Sequence, residues 1–184
     1  MRELSLNVLD IAQNSISAGA SVVEITVQEN SGLSLMTIII KDNGCGMDEK
    51  SVKNVMDPFY TTRTTRKVGM GVPLFKMAAE MTGGSLEIES AVGKGTQVKT
   101  VFHTDHVDFT PLGDIDSTIV TLITLNTSIN FIYTLKVDGN EFRLSTQQLK
   151  DILGGVPLDM PEVVMWLKDY IKEQTQIIRG GVTQ

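Results

Sequence analysis

Several classes of functional site depend on residues that are scarce in this sequence. Its 184 residues include one cysteine and two histidines. A single cysteine excludes an internal disulfide bond and is typical of a protein from a reducing compartment, so we expect a cytoplasmic protein. The cysteine and the histidines are also too few and too widely spaced to form a zinc site.

Long apolar runs and an excess of positive charge are absent as well. No apolar run approaches the roughly 20 residues that cross a bilayer, and polar residues follow Met1 too soon for a signal peptide. The formal net charge of -6 disfavours nonspecific binding to nucleic acid or anionic membranes. We therefore expect a soluble globular protein that has neither nucleic acid nor a membrane as a partner.

Hydrophobic periodicity predicts an α+β protein. Apolar Leu4, Val8 and Ile11 recur at helical spacing, whereas the alternation over Val22–Gln28 is typical of a half-buried strand. In the first half of the chain the pattern predicts helices over residues 4–18, 50–55 and 72–81, and strands over residues 22–28, 34–41, 85–90 and 96–102.

The character of the sequence changes near Thr104. We expect a domain of residues 1–104, a linker over residues 106–116 and a C-terminal extension of residues 105–184. The apolar stretch 115–125 is compatible with either a helix or a strand.

Within the extension, Asp138-Gly139 predicts a hairpin over residues 129–145. Ser145–Gln148 and Asp159–Glu162 are capping-box patterns at two predicted helix starts, the second of which runs to about Ile177. The apolar face of that last helix is more typical of a core or dimer contact than of a ligand site, so a homodimer is among the expected states.

The segment Asp42–Met47 follows the apolar run Met36–Ile40 and ends the strand in a glycine-containing turn. Glycine accommodates positive φ and allows a ligand to approach the backbone closely. The Asp42 carboxylate only accepts hydrogen bonds, so it suits a ligand with an amino donor, such as the exocyclic amine of adenine.

Two further features are compatible with a bound phosphate. Asp10 and Asn14 lie four residues apart on one helical face, and an amide oxygen is a ligand that Mg²⁺ accepts alongside phosphates and water. Gly69 and Gly71 stand before a predicted helix, whose free N–H groups favour phosphate.

These segments, in this order, resemble the ATP-binding domain shared by bacterial sensor histidine kinases, DNA gyrase B, Hsp90 and MutL, the GHKL superfamily. The N, G1, F and G2 boxes and the last glycine motif of that domain are similar to Asp10–Ser15, Asp42–Met47, Asp57–Thr62, Gly69–Gly71 and Gly93–Thr96. The short lid between the F and G2 boxes is closest to the histidine-kinase branch. The resemblance implies a two-layer α/β sandwich of the Bergerat type, in which helices cover one face of a mixed sheet, followed here by a small α+β extension.

The resemblance also implies roles for individual residues. Asp42 would bind the adenine amine with support from Thr96, Asn14 would hold Mg²⁺, and Asp10 would be the catalytic base. The nucleotide-binding residues implied in this way are Asn14, Asp42, Gly44, Gly46, Met47, Thr61, Thr62, Arg63, Lys67, Val68, Gly69, Met70, Gly71, Val72 and Thr96.

Two hypotheses for the function follow from the resemblance. Because no dimerisation segment with a phospho-accepting histidine stands before the N box, the first is a stand-alone kinase-like ATPase that transfers phosphate to a separate partner protein or hydrolyses ATP slowly. The second is a non-catalytic module in which ATP orders the lid and the extension docks a partner.

Overall fold

The structure is a computed structural model that describes residues 3–59 and 70–180. Over these residues the elements are α1 (Leu4–Ser17), β1 (Val22–Asn30), a 3-10 turn (Ser31–Leu33), β2 (Leu35–Asp42), α2 (Glu49–Met56), α3 (Gly71–Glu80), β3 (Ser85–Ala91), β4 (Gly95–His103), α4 (Ile115–Leu125), β5 (Asn130–Val137), β6 (Asn140–Ser145), α5 (Thr146–Leu153) and α6 (Pro161–Ile178). This order confirms the predicted α+β class. None of the helices in the described ranges combines the length and the apolar character that a bilayer span requires.

The strands form one six-stranded sheet in the order β3-β4-β2-β1-β5-β6. Strand β5 pairs with β1 in parallel, and the other neighbours are antiparallel. The sheet is therefore mixed, as predicted. The residues after 104 continue the same sheet beyond β1, and the division of the chain at that residue stays a prediction.

One face of the sheet is apolar and the other is polar. On β1, buried Val23, Ile25 and Val27 alternate with half-buried residues. On the opposite face, Glu24 lies across from Lys41 and Glu87 lies across from Lys99. Because α3 contacts α1, α1 contacts α4 and α4 contacts α6, these helices lie side by side over the apolar face. The two-layer arrangement is confirmed.

The apolar stretch that was ambiguous in the sequence forms α4. The Asp114 side chain accepts a hydrogen bond from the Ser117 amide at 2.9 Å and so caps the start of this helix. Ile119 and Ile123 are buried, and α4 contacts both α1 and α6. A helix that is covered on two sides is apolar over most of its surface. Hydrophobic periodicity therefore cannot distinguish this helix from a strand.

Two local predictions in the second half, the capping boxes of α5 and α6, are wrong. Neither α5 nor α6 has a side-chain hydrogen bond at its N-cap residue, Ser145 or Met160. At α5 the first turn is satisfied from another strand, because the Asn130 side chain accepts from the Gln147 amide at 3.1 Å. Residues 106–114 of the predicted linker form no helix or strand, and its last two residues belong to α4, which begins at Ile115. The Pro111 carbonyl accepts a hydrogen bond from the Leu4 amide at 2.9 Å.

Candidate functional site

A cavity of about 140 Å³ lies between α1, α2, α3 and the end of the sheet at which β2 finishes. Its lining is mainly apolar, with a few polar groups, which is the usual composition of a small-molecule site. The lining residues are Ile11, Asn14, Ser15, Ala18, Ile40, Asp42, Cys45, Gly46, Met47, Val55, Val72, Ile88, Thr96 and Val98.

Asp42 is the last residue of β2 and is 9% exposed. Its Oδ1 accepts hydrogen bonds from the amides of Gly44 at 2.9 Å and Thr96 at 3.2 Å, and its Oδ2 accepts from the Ser15 hydroxyl at 2.6 Å. A carboxylate has about four acceptor positions. The three protein donors therefore fix the orientation of Asp42 and leave acceptor capacity on Oδ2 for a donor in the cavity.

Two glycines allow the turn after Asp42 to close against the β3–β4 hairpin. Gly46 has φ of 67°, and a Cβ atom there would lie 1.9 Å from the Ala91 carbonyl oxygen. Gly95 has φ of 99°, and a Cβ atom there would lie 2.0 Å from the Asp42 carbonyl oxygen. Any side chain at either position would push the two loops apart and so open the floor of the cavity.

Asp10 and Asn14 are carried by α1 on the side that faces α3. Asn14 lines the cavity. Asp10 lies close to the start of α3, since a Cβ atom on Gly71 would come within 2.8 Å of the Asp10 Cβ atom. Burial raises the pKa of the Asp10 carboxyl above its ordinary value. The arrangement places a proton acceptor beside the N-terminus of α3.

The structure brings six of the predicted binding residues to the cavity wall: Asn14, Asp42, Gly46, Met47, Val72 and Thr96. Gly44 is buried behind Asp42, and Gly71 begins α3 next to Asp10. Met70 is the N-cap residue of α3, with its side chain 61% exposed. The other predicted residues, Thr61, Thr62, Arg63, Lys67, Val68 and Gly69, lie outside the described residues.

Sequence reasoning missed two polar residues beside this cavity. Ser15 donates to Asp42, and Ser90 on β3 lies directly opposite Thr96 on β4. The signal for Ser90 was present, because Ser90 and Thr96 are symmetric about Gly93 in the predicted hairpin. Ser15 gave no equivalent signal, since its partner is 27 residues away in the sequence.

The comparison with protein families decides the assignment. The model of the family described as histidine kinase-, DNA gyrase B-, and HSP90-like ATPase matches residues 1–106. The chain belongs to this ATPase family. The resemblance inferred from the motifs is confirmed, and membership of the family supports ATP binding.

Similar curated proteins of this family include two sensor proteins. A putative sensor protein of Shewanella frigidimarina is 30% identical over 103 residues, which are 55% of this chain and 15% of that protein. Sensor protein SrrB of Staphylococcus aureus is 36% identical over 101 residues, which are 52% of this chain and 17% of that protein. The similarity thus covers the ATPase region and a small part of each relative.

Among solved structures, the fold is similar to that of the MutL ATPase domain of Aquifex aeolicus complexed with ADP. The TM-score is 0.51 at 17% sequence identity, with 84% of this chain and 70% of that chain covered. Because 84% of the chain is more than residues 1–106, the similarity in fold continues into the C-terminal extension.

Proposed function

We propose that this protein binds ATP with Mg²⁺ in the cytoplasm and either transfers phosphate to a separate protein or hydrolyses ATP slowly, in signalling or regulation. The observation that carries the proposal is the Asp42 carboxylate, held by three donors and open to a further donor in an apolar cavity. The exocyclic amine of adenine is such a donor, and the apolar wall suits the faces of its ring.

The donor set on α1 and α3 fits the phosphate end of a nucleotide. The Asn14 amide oxygen is a suitable ligand for Mg²⁺, which binds through few protein oxygens together with phosphates. Bound Mg²⁺ would neutralise developing charge on the phosphates. At the start of α3, backbone N–H groups that lack helical partners favour anionic oxygens. Asn14 would therefore orient the phosphates toward Asp10.

Asp10 is the residue that we assign to proton transfer. A hydroxyl nucleophile, either water or an alcohol side chain of the partner, attacks the terminal phosphorus, the bond to the bridging oxygen breaks, and the hydroxyl proton goes to Asp10. The raised pKa of Asp10 makes its carboxylate a stronger base than an exposed aspartate.

A second candidate function is a nucleotide-gated binding module, and one hydrogen-bonded connection favours it. The Asn43 side chain, next to Asp42, accepts from the amides of Ser21 and Val22, each at 2.9 Å. The Ser21 carbonyl accepts from the Asn130 amide at 2.9 Å, and the Asn130 side chain caps α5 through Gln147. The turn that follows Asp42 and the C-terminal extension thus share one hydrogen-bonded network, through which a bound nucleotide would influence the surface of α5.

The test of nucleotide binding compares Asp42→Asn with Asp48→Asn by calorimetric titration of ADP and Mg²⁺. Asparagine at position 42 would place an amide among three donors, so we expect affinity to fall by about 100-fold. Asp48 caps α2 from an exposed position, and asparagine caps equally well, so this control should bind as the wild type does. Equal affinity of both variants would contradict the proposal.

Incubation with ATP labelled on the terminal phosphate separates the two candidate functions. Phosphate release or transfer that is lost in Asp10→Asn supports the first. Retained ADP binding without either reaction, together with nucleotide-dependent protection from protease, supports the second.

A further inference from the structure

Ser90 occupies a junction beside the cavity. It lies near the end of β3, opposite Thr96, and is partly buried. Its Oγ accepts from the Met47 amide at 2.8 Å and lies 3.0 Å from the Gly95 carbonyl oxygen and 2.8 Å from the Thr96 hydroxyl. One hydroxyl therefore connects the turn after β2, the hairpin and the start of β4.

The hydrogen-bonding capacity of a serine limits how these contacts are shared. A hydroxyl has one proton and two lone pairs, and the Met47 amide uses one lone pair. If the Ser90 proton goes to the Gly95 carbonyl, Thr96 donates to Ser90 and offers only lone pairs to the cavity. If the Ser90 proton goes to Thr96, the Thr96 proton is free to point into the cavity.

Adenine selects between these two arrangements. Its ring nitrogens are acceptors, so they need a donor, supplied directly or through a bridging water. Thr96 lines the cavity beside Asp42, and its amide already donates to that carboxylate. The Thr96 hydroxyl is thus placed to serve a ring nitrogen while Asp42 serves the amine, provided that Ser90 donates to Thr96.

We propose that Ser90 is a positioning residue for the adenine ring: its hydroxyl holds the Met47 amide in place and directs the Thr96 proton into the cavity. This inference rests on the proposed ATP binding and deepens it. Ser90 itself touches neither the phosphates nor Asp10 in this scheme. Loss of the Ser90 hydroxyl should weaken nucleotide binding and leave the rate of the chemical step unchanged. This is expected of a residue that stabilises the bound substrate and the transition state equally.

The test uses two variants of equal shape. Ser90→Thr keeps the hydroxyl and adds a methyl group, whereas Ser90→Val adds the same volume without the hydroxyl. We expect Ser90→Thr to bind ADP within about twofold of the wild type. Ser90→Val should bind about tenfold more weakly, because one partly buried amide and one hydroxyl lose their partner. Ser85→Val, at the exposed start of the same strand, is the matched control and should bind as the wild type does.

A double-mutant cycle separates this role from a general loosening of the fold. If Ser90 acts through Thr96, then Thr96→Val and Ser90→Val together should weaken ADP binding no more than the worse single variant. Additive losses, or equal affinity of Ser90→Thr and Ser90→Val, would overturn the inference. If Ser90→Val does not fold, the same cycle with Ser90→Ala decides the question.

The outcomes also distinguish this inference from the proposed function. Wild-type protein that fails to bind ADP contradicts both. Wild-type protein that binds ADP, and loses it in Asp42→Asn but not in Ser90→Val, contradicts the role of Ser90 alone.

Discussion

Two glycines beside the cavity and two glycines in the C-terminal extension have different surroundings. Beside the cavity, a Cβ atom on Gly46 would lie 1.9 Å from a backbone oxygen, and one on Gly95 would lie 2.0 Å from another. No side chain tolerates such a contact. In the extension, Gly139 and Gly154 also have positive φ, but a Cβ atom would meet nothing within 4 Å. Glycine is required at Gly46 and Gly95 because two loops close tightly there, and at Gly139 and Gly154 only because the backbone turns.

The apolar face of the sheet also differs between the region of the cavity and the C-terminal extension. Beside the cavity, the sheet carries a row of polar residues on neighbouring strands, Ser90, Thr96 and Asp42. In the extension, aromatic side chains fill the space: Phe142 packs with Tyr133 at 6.3 Å and with Tyr170 on α6 at 5.8 Å between ring centroids. One half of the sheet keeps a cavity open and the other half fills its core, and this contrast can be tested.

The largest expected difference is between Gly95→Ala and Gly154→Ala. At Gly95, alanine would combine positive φ with a backbone clash, so we expect a loss of about 3–5 kcal/mol in the free energy of unfolding. At Gly154 the strain of positive φ acts alone, and the loss should be about 1–2 kcal/mol. Urea denaturation followed by circular dichroism measures both. Equal losses would show that the close approach at Gly95 relaxes easily.

Local patterns in the sequence predicted part of the fold and of the cavity, and contacts between distant segments decided the rest. Strong periodicity located α1, β1 and β2, and the ordered glycine motifs located the cavity. The sequence could not show that β5 pairs with β1 rather than forming a separate sheet, because parallel pairing depends on the packing of α4 against α1. Nor could the sequence show the hydrogen bond between Ser15 and Asp42, because it depends on how α1 packs against β2.

The second prediction compares two carboxyls, one in each half, whose pKa burial raises: Asp10 and Asp116. If Asp10 is the base, Asp10→Asn should lower ATP turnover about 100-fold. Wild-type turnover should fall as the pH falls through the raised pKa of Asp10, since the protonated form cannot accept a proton. Asp116→Asn should leave turnover and its pH profile unchanged. A steady-state phosphate-release assay across pH checks this, and an unchanged profile in Asp10→Asn would remove Asp10 from the mechanism.

A smaller effect should be visible in thiol labelling. Cys45 is the one cysteine of the sequence and lines the cavity, so we expect bound ADP to slow its reaction with a maleimide about tenfold. A Cys45→Ser, Leu125→Cys variant moves the thiol to a position in the extension whose native side chain is 74% exposed. Labelling of that variant should not respond to ADP. Mass spectrometry gives both rates, and protection at both positions would indicate a conformational change that reaches α4.

The smallest expected effect concerns the stability contribution of Asp116. Burial raises the pKa of this carboxyl, against a hydrogen bond from Thr175 at 2.8 Å that lowers it. A folded-state pKa above the unfolded value means that the fold favours the protonated form, so stability falls as the pH rises through that range.

Asp116→Asn removes the charge and keeps an oxygen for Thr175. At neutral pH it should raise the melting temperature by about 1–2 °C, a value reduced for solvent screening of a half-exposed group. The gain should vanish at a pH at which Asp116 is protonated in both states. A lower melting temperature at neutral pH would mean that the attraction of Arg179 and Lys172 for the charged form outweighs burial.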